Sequence, residues 1–186
     1  MDIEVRPAWA DVERLFGPRG GAAGCWCMFW RQTNKEAAAG GPEERRDELR
    51  ALVEAGEPVG LLAFADGEPV GWCAVAPRPA YRRIPRTKAL APADPDDPAV
   101  WAITCFLVRR DRRRQGVAGA LLDAAVEHAR AHGAREVESY PVVEATGGAG
   151  RLYGGTIGMF ASAGFEPAAR SAGAATGRKV VMRRPV

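Results

Sequence analysis

The alternation of hydrophobic and polar positions divides the first third of the chain into a strand and two helices. The pattern predicts a short strand over residues 2–5 and a helix over residues 7–16, where apolar residues recur at helical spacing. A second helix is predicted from Pro42 to Gly56, because its first turn is acidic, its apolar residues share one face and a glycine ends it.

A β-hairpin and a central strand occupy the middle of the chain. Two apolar strands are predicted at 58–65 and 69–76, around an Asp-Gly pair that is a strong signal for a two-residue turn. A proline-rich connection over 77–98 then leads to a strand at 100–108 that is apolar enough to be central. A connection of this length inside a compact domain is often functional.

The last third of the chain alternates helices and strands. A stripe of small apolar residues predicts a helix over 117–132, followed by a strand at 135–143, a short helix at 156–163 and strands at 165–171 and 178–184. The order β-α-α-β-β-β-α-β-α-β-β predicts an α/β fold. We expect the final strand to be exposed, so that a second copy of the chain could pair with it in a homodimer.

Composition narrows the class of protein. The 186 residues suit a single domain over 1–186, and 47% apolar with 26% charged residues is ordinary for a globular protein. No run of about 18 apolar residues is present, so no membrane span is expected. The acidic start without an apolar stretch after it, and four irregularly spaced cysteines, predict a cytoplasmic protein with reduced thiols. A net charge of +3 is too small to indicate nucleic-acid binding.

The basic charge is concentrated between the predicted central strand and the helix after it. Residues 108–119 read V-R-R-D-R-R-R-Q-G-V-A-G, with five arginines and one aspartate. Gly116 allows a ligand to approach the backbone, and the helix start offers unpaired N–H groups and a positive dipole. The turn therefore predicts a polyanion site, although an arginine run can also be a solvated loop. Neither a P-loop nor a dinucleotide-binding glycine pattern is present.

The turn resembles a known acyl-CoA site. Its residues R-R-Q-G-V-A (113–118) resemble the [RQ]-x-x-G-x-[GA] signature of the GNAT-type N-acetyltransferases, and the predicted element order is similar to that of the same superfamily. The resemblance implies a splayed mixed sheet and acetyl-CoA as co-substrate. It implies that main-chain groups of Phe106, Leu107 and Val108 bind the pantetheine arm and the acetyl carbonyl. The pyrophosphate would be held by Arg113, Arg114, Gln115, Gly116, Val117, Ala118 and Gly119.

The resemblance also implies direct acetyl transfer to an amine, which we expect to belong to a small molecule. An alternative is a regulator that binds acyl-CoA without catalysis. In many superfamily members, a tyrosine four residues before the glycine of the last helix acts as the general acid. This chain has Phe160 at that position. Tyr153 or Tyr140 could replace that acid, or no dedicated acid is used.

The general base is not singled out by spacing, and three carboxylates remain open, namely Glu68, Glu138 and Glu144. No metal site is predicted. His128 and His132 share a helix face without a third ligand nearby, and Cys25-x-Cys27 lacks zinc-type spacing.

An aromatic segment near the N-terminus is the remaining candidate site. Trp26, Phe29 and Trp30 lie within six residues beside the two cysteines, as C-W-C-M-F-W (25–30). They form either a core cluster beneath the sheet or one wall of the acceptor site, with the 77–98 connection as the other wall. An aromatic wall would suit an apolar amine or a cation.

Overall fold

The computed structural model describes residues 1–4, 7–143, 153–169 and 179–186. These residues form a seven-stranded sheet in the order β1-β2-β3-β4-β5-β7-β6. The strands are β1 (Asp2–Glu4), β2 (Leu61–Ala65), β3 (Glu68–Pro77), β4 (Val100–Val108), β5 (Glu136–Ser139), β6 (Glu166–Pro167) and β7 (Met182–Pro185). The helices are α1 (Trp9–Phe16), α2 (Asn34–Ala39), α3 (Pro42–Glu54), α4 (Val117–Ala131) and α5 (Ile157–Ser162).

The sheet is mixed, which confirms the predicted fold class. Strands β4 and β5 are parallel and are joined through α4, while every other neighbouring pair of strands in the described ranges is antiparallel. The predicted hairpin is β2-β3, and its turn residues Asp66 and Gly67 have φ values of 56° and 75°, as a two-residue hairpin turn requires. Helix α4 packs on the sheet through Leu121, Leu122 and Ala125, which are all buried.

Strands β4 and β5 pair over only part of their length. The ladder joins Val100–Ile103 to Glu136–Ser139, so the second half of β4 has no partner in β5. At the point where the ladder ends, the pairing of β3 with β4 steps from Val75↔Ile103 to Ala74↔Cys105. Thr104 is therefore the extra residue of a β-bulge, which changes the face to which the following side chains point. The result is an opening beside the carboxyl half of β4.

Helix α2 is absent from the sequence-based prediction because it buries no residue and so has no apolar periodicity. A capping box defines it instead. The Thr33 hydroxyl accepts a hydrogen bond from the Glu36 amide at 3.3 Å, and the Glu36 carboxylate accepts one from the Thr33 amide at 2.8 Å.

Two further predictions need correction. The strand expected over 135–143 ends at Ser139, after which an isolated bridge joins Val142 to Lys179. The final strand β7 is not exposed at the sheet edge, because β6 lies outside it. A dimer formed by strand pairing at this edge would therefore use β6.

The longest described helix is α4 with 15 residues, and none in the described ranges has the length and apolar character for crossing a membrane.

Candidate functional site

Two adjoining cavities flank the carboxyl half of β4. The basic cavity, of about 390 Å³, is lined by Phe106, Val108, the arginine turn and the first residues of α4. The aromatic cavity, of about 300 Å³, is lined by Phe29, Trp30, Thr104, Cys105 and Leu107 among others. Tyr153 lines both cavities and therefore lies at their junction.

The arginine turn and the start of α4 form an open cradle in the basic cavity. Gly116 is the N-cap of α4 with φ of 81°, and Arg114 has φ of 60°, so both adopt left-handed backbone. A Cβ atom added at Gly116 or at Gly119 would meet no atom within 4 Å. The first N–H groups of α4 have no intrahelical acceptor, and they carry the positive end of the helix dipole. This arrangement fits a pyrophosphate.

The arginines of the turn differ in whether a carboxylate pairs with them. Arg109 pairs with Asp111 at 2.6 Å and Arg112 pairs with Asp66 at 2.9 Å, so two of the positive charges are locally compensated. The hydrogen bonds from Arg109 hold the pKa of Asp111 down at about 2. Arg112, Arg113 and Arg114 line the basic cavity, and within the described ranges the last two have no carboxylate partner. The turn therefore presents positive charge to a ligand in this cavity.

Four predicted cofactor residues differ in how they are placed. The Gln115 amide donates to the Asp111 carbonyl at 2.9 Å and braces the turn. Leu107 lines the aromatic cavity, whereas Phe106 and Val108 line the basic cavity. Val108 also has its carbonyl bound by the Arg113 side chain at 3.3 Å.

The aromatic segment contributes both to the core and to the wall of the aromatic cavity. Trp26 is 3% exposed and stacks on Phe16 with ring centroids 5.4 Å apart, so it belongs to the core. Phe29 and Trp30 line the aromatic cavity, with their rings edge to face at 5.0 Å. Phe29 is 49% exposed, a large value for an aromatic side chain.

The proline-rich connection over 77–98 contacts the aromatic segment and the residues after it. Arg83 donates to the Gln32 carbonyl at 3.0 Å, and its guanidinium lies 4.1 Å from the centre of the Phe29 ring. The described lining of the aromatic cavity includes no residue of 77–98, so the second wall predicted there is supplied by other segments. Those segments contain Tyr153, Gly154 and Lys179.

Lys179 is a site residue that sequence reasoning missed. It is partly buried on the wall of the aromatic cavity, and its ammonium donates to the Tyr140 carbonyl at 3.0 Å. The same ammonium lies 5.5 Å from the centre of the Trp30 ring. Burial lowers its pKa from the usual 10.5. No sequence motif marks this lysine, because only tertiary packing brings it to the cavity.

The cysteines on the aromatic cavity are not in disulfides. Cys25, Cys27 and Cys105 line it. A hydrogen bond with Cys105 and burial raise the pKa of Cys27 well above its usual value, and burial raises that of Cys25. Because the thiolate is the nucleophilic form, the shifts in Cys25 and Cys27 argue against thiol catalysis there.

The two candidate tyrosines occupy different environments. Tyr153 lies at the cavity junction, whereas Tyr140 is 1% exposed and lines neither cavity. The Tyr140 hydroxyl donates to Glu138 at 2.7 Å. Phe160, at the position where the family pattern has a tyrosine, is fully buried against Phe106 and Phe165, with ring centroids 6.1 and 5.1 Å away.

The candidate bases lie outside the described cavity walls. Glu138 is fully buried between Arg183 at 2.7 Å and Arg78 at 3.3 Å. Glu68 pairs with Arg14 at 3.3 Å at the surface, and Glu144 lies outside the described residues. No carboxylate is among the described residues that line either cavity.

The histidine pair has a packing role. The rings of His128 and His132 lie 4.3 Å apart beside Trp101, and His132 Nδ1 is 2.8 Å from the His128 carbonyl oxygen. Within the described ranges, no group of three or more histidine, cysteine or acidic side chains is placed to bind a metal ion.

The model of the Acetyltransferase (GNAT) family matches residues 25–158, which include the bulged strand, the arginine turn and the start of α5. The chain belongs to the GNAT acetyltransferase family. The sequence has no match among the curated proteins.

Solved structures share the GNAT fold. A ribosomal-protein-alanine N-acetyltransferase from Brucella melitensis has a TM-score of 0.61 at 18% identity, with 100% of each chain covered. The PaiA N-acetyltransferase from Thermoplasma acidophilum, in complex with coenzyme A, has a TM-score of 0.59 at 14% identity, again over 100% of both chains. A phosphinothricin acetyltransferase from Sinorhizobium meliloti, in complex with AcCoA, scores 0.56 at 16% identity, covering 100% of this chain and 88% of that one. At these identities the likeness concerns the fold.

Proposed function

We propose that this GNAT protein is an N-acetyltransferase that transfers the acetyl group of acetyl-CoA to an amine of a small molecule, by direct attack in a ternary complex. The observation that carries the proposal is the position of Tyr153 between a basic and an aromatic cavity on the two sides of β4. A polyanionic donor and an apolar acceptor would meet at that junction.

The donor fits the basic cavity by charge and by space. The open cradle at Gly116 and Gly119 would admit the pyrophosphate, with Arg113 and Arg114 compensating its charge. The coenzyme A and AcCoA complexes of two fold neighbours favour the same class of donor. The pantetheine arm would follow the half of β4 that β5 leaves unpaired.

Transfer requires one bond to form and one to break. The amine nitrogen attacks the thioester carbonyl carbon, the carbon–sulfur bond breaks, and the thiolate takes a proton from the Tyr153 hydroxyl. A backbone N–H of β4 polarises the carbonyl oxygen. The proton released by the amine passes to water, and water returns a proton to the Tyr153 oxygen, so that the tyrosine is regenerated; the described cavity walls contain no carboxylate.

The acceptor is a small molecule because the aromatic cavity encloses about 300 Å³, at the lower end of small-molecule sites. Nucleic acid is disfavoured as a partner because Asp66 and Asp111 neutralise two arginines of the turn. Cytoplasmic location, a single domain over 1–186 and a homodimer stay predictions.

The test is thioester turnover. Purified protein is mixed with acetyl-CoA and a panel of primary amines, and free CoA is measured with a thiol reagent. Release of CoA that depends on one or more amines is expected. The alternative, an acyl-CoA-binding regulator, is favoured by Phe160 in place of the expected tyrosine. It predicts acetyl-CoA binding without release for every amine.

A further inference from the structure

We infer that Lys179 selects acceptors that carry a carboxylate, so that the substrate class is an amino-acid-like primary amine with an apolar side chain. This inference rests on the proposed function, since it concerns the acceptor half of the same site.

Lys179 is the single charged side chain among the described residues that line the aromatic cavity. The walls otherwise consist of aromatic, thiol, aliphatic, glycine and hydroxyl groups. No described carboxylate lies within ion-pairing distance of the ammonium, whose contacts are the Tyr140 carbonyl at 3.0 Å and the Trp30 ring. An ammonium has three N–H donors, so the described residues, with one carbonyl, leave most of its hydrogen-bonding capacity unused.

A partly desolvated cation without an anionic partner is costly unless a ligand supplies one. A carboxylate entering the cavity would provide both the opposite charge and acceptors for the remaining N–H donors. A purely cationic amine would be repelled by Lys179 instead. The charge of the cavity therefore favours a zwitterionic or acidic acceptor over a simple alkylamine.

A second polar group points to the same ligand class. Thr104, the bulge residue, is 3% exposed and lines the cavity. Its Oγ1 makes no hydrogen bond of ordinary geometry with the described residues, although the buried Tyr81 hydroxyl is its neighbour. Thr104 offers a donor and an acceptor to a polar ligand group near the middle of β4.

The remaining walls define the rest of the acceptor. Phe29 and Trp30 contribute aromatic rings, and Leu107 adds an aliphatic side chain. These groups suit an apolar side chain. With about 300 Å³ available, an apolar α-amino acid has the right size and chemistry.

The test compares matched ligands that differ only in the carboxylate. L-Phenylalanine is paired with 2-phenylethylamine, and L-methionine with 3-(methylthio)propylamine. Each is titrated by calorimetry into the full chain, with free CoA present, for wild type, Lys179→Met and Lys179→Arg. We expect wild type to bind each amino acid about 10- to 100-fold more tightly than its partner, as a charge-assisted hydrogen bond provides. Lys179→Met should lose this preference and Lys179→Arg should keep part of it.

Three results would overturn the inference: equal or weaker binding of the amino acids, no binding of either amino acid, or a preference that survives in Lys179→Met. Binding of free CoA, with circular dichroism, serves as the folding control, because Lys179 does not line the basic cavity. Since the titration measures affinity and not turnover, its outcome is independent of the CoA-release assay. Failure of the proposed transferase activity can therefore be distinguished from failure of the inferred carboxylate preference.

Discussion

The Tyr140 hydroxyl donates a 2.7 Å hydrogen bond to the Glu138 carboxylate, in a position that water does not reach. The carboxylate also pairs with Arg78 and Arg183. It thereby joins the end of β5 to β7 and to the residue that follows β3. This network gives Tyr140 a structural role that differs from the role proposed for Tyr153.

The two tyrosines should respond differently to loss of the hydroxyl group. Tyr153→Phe should lower kcat by about a hundredfold, because it removes the proposed proton donor while keeping the ring. Tyr140→Phe should leave kcat close to wild type but destabilise the fold by about 1–3 kcal/mol, because the buried carboxylate loses a hydrogen bond. Steady-state kinetics and urea denaturation of both variants measure the two effects. An unchanged kcat in Tyr153→Phe would remove that residue from the mechanism.

Lys179 should make stability depend on alkaline pH. Burial lowers its pKa in the folded chain below 10.5, so between the folded pKa and 10.5 the unfolded chain binds more protons. The free energy of unfolding contributed by this group therefore rises with pH across that window. The lysine destabilises the fold most at lower pH, where it is charged in both the folded and the unfolded chain.

We expect the stability of Lys179→Met relative to wild type to fall as pH increases from 7 toward 10.5. Urea denaturation of both proteins at several pH values measures this difference, in which titrations common to both proteins cancel. Any loss of the hydrogen bond to Tyr140 shifts the difference by a constant. A difference that does not vary with pH would contradict the lowered pKa.

The capping box at Thr33 should determine whether α2 forms. Thr33→Ala should lower the free energy of unfolding by about 1 kcal/mol, because the backbone amide of Glu36, in the first turn of α2, loses its acceptor. Thr33→Ser retains the hydroxyl and is the matched control. Denaturation midpoints measure both effects, and equal stability of the alanine and serine variants would contradict the role of the cap.

The Glu36 carboxylate provides a pH test of the same cap. Hydrogen bonds from Thr33, and then from Arg82, lower its pKa from 4.5 to about 2. Because the folded pKa is lowered, its contribution to stability is present above 4.5 and is lost as pH falls toward 2. Glu36→Gln should therefore differ from wild type at pH 7 and converge with it near pH 2. Acid titration with circular dichroism measures the convergence, and a constant difference would contradict it.

Local signals explain which parts of the fold could be predicted from the sequence. The Asp66-Gly67 turn and the small-residue stripe of α4 are short-range patterns, and both are present as expected. Helix α2 escaped prediction because all of its residues face solvent at least in part. The early end of β5 likewise depends on where β4 bulges, which sequence periodicity does not report.

The sequence predicted the arginine-turn side of the candidate site more completely than the aromatic-cavity side. The glycine and arginines of the turn are contiguous in sequence, so their chemistry could be inferred from the residues alone. The proposed acceptor side is assembled from distant segments, and Lys179 reaches it only through packing beside Tyr140. For the same reason the sequence could not tell that Trp26 and Trp30 are buried while Phe29 is half exposed on the cavity wall.

The cradle at Gly116 is the proposed binding site for the pyrophosphate of acetyl-CoA. Gly116→Trp would fill that space, and Gly133→Trp is the matched control at the far end of α4. The two glycines have similar left-handed φ values, 81° and 78°, and open surroundings, so both substitutions impose comparable backbone strain.

The decisive measurement is calorimetric titration of acetyl-CoA and of free CoA into wild type and both variants, with thermal melts to confirm folding. We expect wild type and Gly133→Trp to bind both ligands, and folded Gly116→Trp to lose binding severely because the indole occupies the pyrophosphate position. Absence of binding by wild type at about millimolar ligand, or equal affinity in folded Gly116→Trp, would contradict the assignment of this cavity.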